Sequence, residues 1–128
     1  MTQGRLSSEF RGRTKRFASA TVRHSVALPK ERKEVRVLGR QLLRFGTSVA
    51  AQEREAARAS SDAEFCSKLG GAAQEADESR LWLELLREDC DVLDPALNTH
   101  HAEASELIAI FVTMINRTRE SGEVKSES

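Results

Sequence analysis

The 128-residue chain has no tyrosine, one tryptophan, two prolines and two cysteines. With so few aromatic rings there is little to stack on bases, which weakens any reading that relies on base stacking. Proline and β-branched runs are scarce while Ala, Leu, Glu, Arg and Ser abound, a composition that favours helix. Strand signals are missing too: there is no alternating run and no Asn-Gly turn. No apolar run approaches the roughly 18–20 residues that span a bilayer. The opening MTQGRLSSEFRGRTKRF lacks the apolar core of a signal peptide. The expectation is a soluble, cytoplasmic protein with no membrane contact.

Signatures of chemistry are missing as well. No serine sits in a Gly-x-Ser-x-Gly elbow, and no glycine pattern matches a phosphate loop. His24, His100 and His101 are the only histidines, and none stands in a spacing that holds a metal. Adjacent His100 and His101 point about 100° apart on a helix and chelate poorly from one face. Glu75 and Glu78 could share a site, but an ion-paired or solvated helix face explains them more simply. These absences point away from an enzyme and imply no cofactor, metal or small-molecule substrate.

What is present is helical periodicity. Phe10, Thr14, Phe17, Thr21, His24 and Leu28 recur at steps of four and three and stop at Pro29, a partly polar seam. After Lys30 to Lys33, a second seam runs through Val35, Leu38, Leu42, Phe45, Val49 and Gln52. Gly39 and Gly46 lie beside it on a common face. Ser61-Asp62-Ala63-Glu64 reads as a capping box ahead of Phe65, Leu69, Ala72, Ala76, Ser79, Leu83, Leu86 and Cys90. A fourth helix opens around Asp94-Pro95, with Thr99 as the later alternative, and carries Leu97, His101, Ala104, Ile108, Phe111 and Ile115. The fold expected is all-α, an antiparallel up-down-up-down four-helix bundle over residues 7–119. Residues 1–6 are expected to be flexible, and the tail 120–128 to be disordered for want of an apolar anchor. On one continuous helix, Cys66 and Cys90 stand about 36 Å apart, far beyond the roughly 7 Å reach of a disulfide. Gly70 and Gly71 inside the third helix cost about 1 kcal/mol each against alanine. With Ala72, Ala73 and Ala76 beside them and Gly39 and Gly46 on the preceding helix, they predict a close approach of the second and third helices.

The zero net charge conceals a strong polarity. Residues 1–54 hold 13 Lys/Arg against 4 Asp/Glu, a net +9, while residues 55–128 hold 7 against 16, a net −9. One outlet for this asymmetry is self-association: a ring uses one face against a different face of its neighbour, and basic against acidic suits that contact. Leu81, Trp82 and Leu85 lie off the third seam and are candidates for its desolvated centre. The plainer outlet is pairing within one bundle, for example Arg40 or Arg44 against Glu75 or Glu78. The alternative partner is RNA or DNA, held by Arg11, Arg13, Lys15, Arg16 and Arg23 with Lys30, Arg32, Lys33, Arg36 and Arg40 around the turn.

The stretch GRQLLRFGTSVAAQEREAARASSDAEFCSKLGGAAQEADESRLWLELL carries a run of ordered positions. Gln41, Leu42 and Arg44 lead, followed by Thr47, Ser48, Val49 and Ala51, then Glu55 and Arg58. Ser61, Glu64 and Phe65 come next, then Lys68 and Leu69, and Glu75, Ala76, Glu78, Trp82 and Leu83 close the run. In these positions, and across residues 7–119, the chain resembles the bacterial four-helix-bundle family named for 23S rRNA intervening-sequence proteins. Gln52 stands where that family usually carries Asn. The resemblance implies a compact bundle assembling into a ring, typically a homopentamer. It also implies kinship with accessory proteins of retroelements, which associate with reverse transcriptase and nucleic acid. Gln41, Arg44, Ser48, Glu55, Arg58, Phe65, Glu75 and Glu78 enter as its structural motif.

Overall fold

The computed structural model describes the backbone of residues 6–127 and the side chains of residues 6–122. Four helices follow one another: α1 Ser8–Ala27, α2 Lys33–Ala57, α3 Asp62–Glu88 and α4 Pro95–Glu127. No strand occurs among the described residues.

Local chemistry sets the boundaries. Ser7 Oγ accepts from the Phe10 N–H at 3.1 Å and starts α1. That helix stops where Leu28 turns extended before Pro29, and Lys30 Nζ donates to the carbonyls of Ser25, Val26 and Leu28 there. Ser61 Oγ accepts from the Glu64 N–H at 3.1 Å, the expected cap of α3. The Glu64 carboxylate reaches back to Ser60, accepting from its N–H at 3.2 Å and its hydroxyl at 2.9 Å. Asp94 accepts from the Ala96 N–H at 3.0 Å. Pro95 therefore opens α4 at the position where a missing N–H is harmless, four residues before Thr99.

The ends depart from expectation. Residues 1–5 lie outside the described residues, but Leu6 is buried and belongs to the core. The segment after residue 119, expected to be disordered, continues α4 to Glu127, while residue 128 lies outside the described residues.

Each helix packs on two neighbours: α1 on α2 and α4, α3 on α2 and α4. The pairings run in opposite senses. Leu28 meets Gly39 and Thr21 meets Gly46. Lys68 pairs with Glu55, Arg80 with Ser105 and Arg87 with Asn98. These contacts are consistent with an up-down arrangement. Two apolar clusters fill the interior. One gathers Phe10, Phe17, Val49, Phe65, Leu69, Leu107 and Phe111, and the other Leu28, Val35, Leu42, Leu83, Leu86 and Leu97.

The α3 seam is buried at all eight expected positions, and on α1 only His24 is less than buried. On α2 and α4 the seam is displaced by one residue at alternate positions. Gly39, Gly46 and Glu53 are buried in place of Leu38, Phe45 and Gln52. His100 and Leu107 are buried in place of His101 and Ile108. The cause is the width of each contact. The glycine side of α2 faces α1, while Phe45 stacks on Trp82 and Gln52 packs on Gly71, both of α3.

The glycine pair therefore divides. A β-carbon on Gly71 would stand 3.1 Å from the Gln52 side chain, whereas one on Gly70 would meet nothing within 4 Å. Gly39 and Gly46 mark the α1–α2 approach, with ideal β-carbons 2.8 Å from Leu28 and 2.5 Å from Thr21. Gly70→Ala should raise stability by about 0.5–1 kcal/mol by removing a helix-interior glycine. Gly46→Ala should lower it by about 1–3 kcal/mol through overpacking. Urea unfolding of both variants checks the pair, and equal effects would contradict the assignment.

Candidate functional site

Two grooves open on the outer side of the α1–α2 pair, and the helix faces that line them differ in chemistry. At the end where α1 begins and α2 finishes, a groove of about 430 Å³ is lined by Ser8, Arg11, Gly12, Lys15, Arg54, Ala57 and Arg58. Arg11 and Lys15 are four residues apart on α1, and Arg54 and Arg58 four apart on α2, so both pairs look into the same furrow. The Arg16 guanidinium lies over Gly12, 3.2 Å from where its β-carbon would be, and adds a fifth cation. No carboxylate lines this groove.

At the opposite end the furrow becomes apolar. A groove of about 390 Å³ is walled by Val22, Val26, Leu28, Pro29, Val35, Gly39 and Leu43, with Lys30, Arg36 and Arg40 at its rim. Val26 is 72% exposed. Gly39 keeps the floor low, because a side chain there would strike Leu28.

Of the ten expected nucleic-acid contacts, Arg40 lines the rim of the apolar groove and Arg23 is exposed on α1, while the other eight separate in the structure. Arg13 is taken by α4, with Nε and Nη2 each donating to Glu103 at 2.8 Å and Nη2 also to Glu106 at 2.6 Å. That pairing holds the Glu103 carboxyl below the usual carboxylate range. Arg32 bonds Glu34 and the Cys90 carbonyl, Arg36 donates to Lys30 O, and Lys30 caps α1. Arg11, Lys15, Arg16 and Lys33 form no ion pair among the described residues, and of these Arg11, Lys15 and Arg16 gather at one groove. Arg54 joins them and was not singled out from sequence, although two i, i+4 basic pairs on neighbouring helices carried the signal.

Leu81, Trp82 and Leu85 do not form one exposed patch. Leu81 is exposed, Leu85 is half-buried, and Trp82 packs on the core with its ring 6.1 Å from Phe45. The apolar groove escaped the sequence reading because Val22, Val26 and Leu43 fall off the core seams. Their spacing, with Arg36 and Arg40 four apart beside Leu43, was the available sign.

The family-motif residues take varied places in the bundle. Phe65 lies in the core, Ser48 Oγ donates to Arg44 O at 2.8 Å, and Lys68 stands 3.6 Å from Glu55. Gln41 is half-buried on α2. Arg44 lies over the Phe45 ring at 5.5 Å. Burial and the neighbouring Glu78 push the Glu75 carboxyl up, against the pull of Arg44. Arg58 lines the cationic groove.

Beneath the surface runs a layer of buried polar side chains: Thr14, Thr21, Glu53, Ser79 and His100. Thr21 Oγ1 gives its proton to Phe17 O at 3.0 Å, so it accepts from His100 Nε2–H at 2.8 Å. The imidazole stacks on Phe17 at 4.2 Å and meets the edge of His24 at 4.9 Å. Burial, with His24 beside it, lowers the His100 pKa to about 4. Glu53 is fully buried with neither carboxylate oxygen hydrogen-bonded. Thr14 spends its proton on Arg11 O, and desolvation raises the Glu53 carboxyl despite the charge of Arg11.

No group of three or more His, Cys, Asp or Glu side chains able to hold a metal occurs among the described residues. No helix among them is long and apolar enough to cross a membrane. Cys66 and Cys90 are free thiols. The class this fold defines is an all-α four-helix protein with two open grooves on the α1–α2 flank. Residues 8–114 match the 23S rRNA-intervening sequence protein family, and the chain belongs to that family. It is similar to a crystal structure from Bacteroides thetaiotaomicron, described as a protein with unknown function from the S23 ribosomal protein family. The two are 33% identical with a TM-score of 0.75, over 82% of this chain and 96% of the other. No curated protein matches the chain.

His100 also makes a measurable prediction. Its folded pKa lies below the ordinary 6.5, so the unfolded chain takes up a proton first as pH falls. Stability should fall from pH 6.5 toward pH 4, by on the order of 3 kcal/mol if the full shift is expressed. Chemical unfolding across that window measures it. His100→Gln should be less stable at pH 7 and show a shallower slope over the same window, with His24 keeping its own lowered pKa, and a slope as steep as that of the unsubstituted chain would contradict the assignment.

Proposed function

We propose that the protein is a non-enzymatic scaffold, an antiparallel up-down-up-down bundle that assembles head to tail into a cytoplasmic ring. The resemblance to its family makes a homopentamer the expected size. The observation that carries this reading is the apolar groove on the α1–α2 flank, walled by Val22, Val26 and Leu43 and covered by no side chain among the described residues. Exposed apolar surface of this kind, rimmed by polar groups, marks an interaction site. The charge polarity supports the same conclusion. The flank rimmed by Lys30, Arg36 and Arg40 suits the acidic helices of a neighbour and repels a copy of itself. Exposed Leu81 adds apolar area on the acidic half, while Trp82 serves chiefly the interior. Light scattering after size exclusion should give a multiple of the 14.2 kDa chain mass, five-fold for the pentamer. A monomer at micromolar concentration would overturn the reading.

A second reading is carried by the cationic groove. Arg11, Lys15, Arg54 and Arg58 converge with no carboxylate between them, a field suited to the phosphates of RNA or DNA. Structured RNA should bind with an affinity that falls steeply with salt. Arg11→Glu with Arg54→Glu should abolish the shift in a gel titration. Binding unchanged in that double variant would remove the groove from consideration.

A further inference from the structure

The apolar groove has a counterpart on the same chain. The connection between α3 and α4 carries Leu93, 76% exposed and the most exposed large apolar side chain among the described residues. Glu88, Asp89, Asp91 and Asp94 surround it in sequence and are all exposed. Asp91 holds a positive φ of 55°, and Val92 N–H returns to Leu86 O at 2.9 Å. Together these turn the chain sharply off α3 and leave Leu93 outside the core. An exposed leucine in an acidic collar is the chemical complement of an apolar groove with a basic rim.

We infer that the groove of one copy receives the α3–α4 connection of the next, with Leu93 seated between Val26 and Leu43 and its acidic collar against Lys30, Arg36 and Arg40. This rests on the self-assembly reading and names its contact. Position supports the match. Arg32 Nη1 donates to Cys90 O at 2.7 Å, which places the α1–α2 turn and the α3–α4 connection at one end of the bundle. Knob and groove therefore stand at the same height. The knob joins α3 and α4, while the groove lies on the outer side of α1 and α2. Two different patches at one height are what a closed ring needs, since its axis can then run parallel to the helices. A symmetric groove-to-groove contact would bring Lys30, Arg36 and Arg40 against their own copies and is opposed by charge.

The test uses the full chain. Leu93→Asp and Val26→Asp alter exposed side chains, so each should keep the helical circular dichroism while its mass falls to that of the monomer. An independent arm pairs Val26→Cys with Leu93→Cys in one chain. Mild oxidation should give a covalent ladder up to the subunit number, with each single variant, and the unsubstituted chain with Cys66 and Cys90, remaining unlinked. An unsubstituted chain that is itself monomeric defeats the assembly reading and this contact together. An oligomer that survives both aspartate substitutions defeats this contact alone. Absence of a ladder from the double variant, or a dimer from Val26→Cys alone, also defeats it.

Discussion

Gly46 and Thr21 set how closely α1 and α2 can approach, and much of the bundle depends on that one distance. With no β-carbon on Gly46, the Thr21 side chain sits against the α2 backbone. Thr21 then presents its hydroxyl to His100 of α4, and His100 stacks on Phe17 one turn back along α1. A threonine, a glycine and a histidine thus tie three helices through one buried point. The arrangement is demanding because each polar atom there must be satisfied where water is excluded. It succeeds because the hydroxyl gives its proton to Phe17 O and still accepts from the imidazole. A protonated imidazole in the same place would be a buried cation beside His24, which is why neutrality of His100 belongs to the folded state.

The same geometry directs the charges. α1 meets α4 through Arg13, whose guanidinium is bound by Glu103 and Glu106. This forked, part-buried pairing consumes the acids that could have neutralised α1. The outer flank then keeps Arg11, Lys15, Arg54 and Arg58 with no carboxylate between them. Glu53 lies close enough for Arg11 and Arg54 to act on its carboxyl from beneath the groove, while burial pushes that carboxyl up. A charge polarity visible in composition thus becomes a polarity of faces.

How much of this could be read from the residues follows from how tightly each helix is constrained. α3 packs on both α2 and α4 along its length, so its apolar positions obey one strict period, and every expected seam residue is buried. α2 must serve α1 with glycines and α3 with Phe45, Trp82 of α3 supplying the partner ring. Its large side chains therefore mark the flank of the seam, and hydrophobicity alone placed the seam one residue away. On α4 the steps through His101 and through His100 satisfy helical period equally well. The choice is made by Thr21 on another helix, and by Glu84, which takes His101 at 2.7 Å. The grooves were less legible for the same reason: a furrow is a property of two helices, and its residues are unremarkable on either one.

The two halves of the α1–α2 flank are compatible as functions because they occupy opposite ends. If neighbouring copies meet through Leu93 and the apolar groove, the contact uses the end holding the α1–α2 turn. The cationic groove, at the start of α1 and the close of α2, remains uncovered in every copy. A closed ring repeats that groove at one height around its rim, and repeated weak phosphate contacts on a single strand or duplex reinforce one another through effective concentration. On those two readings, assembly and nucleic-acid binding would be successive consequences of one asymmetric flank.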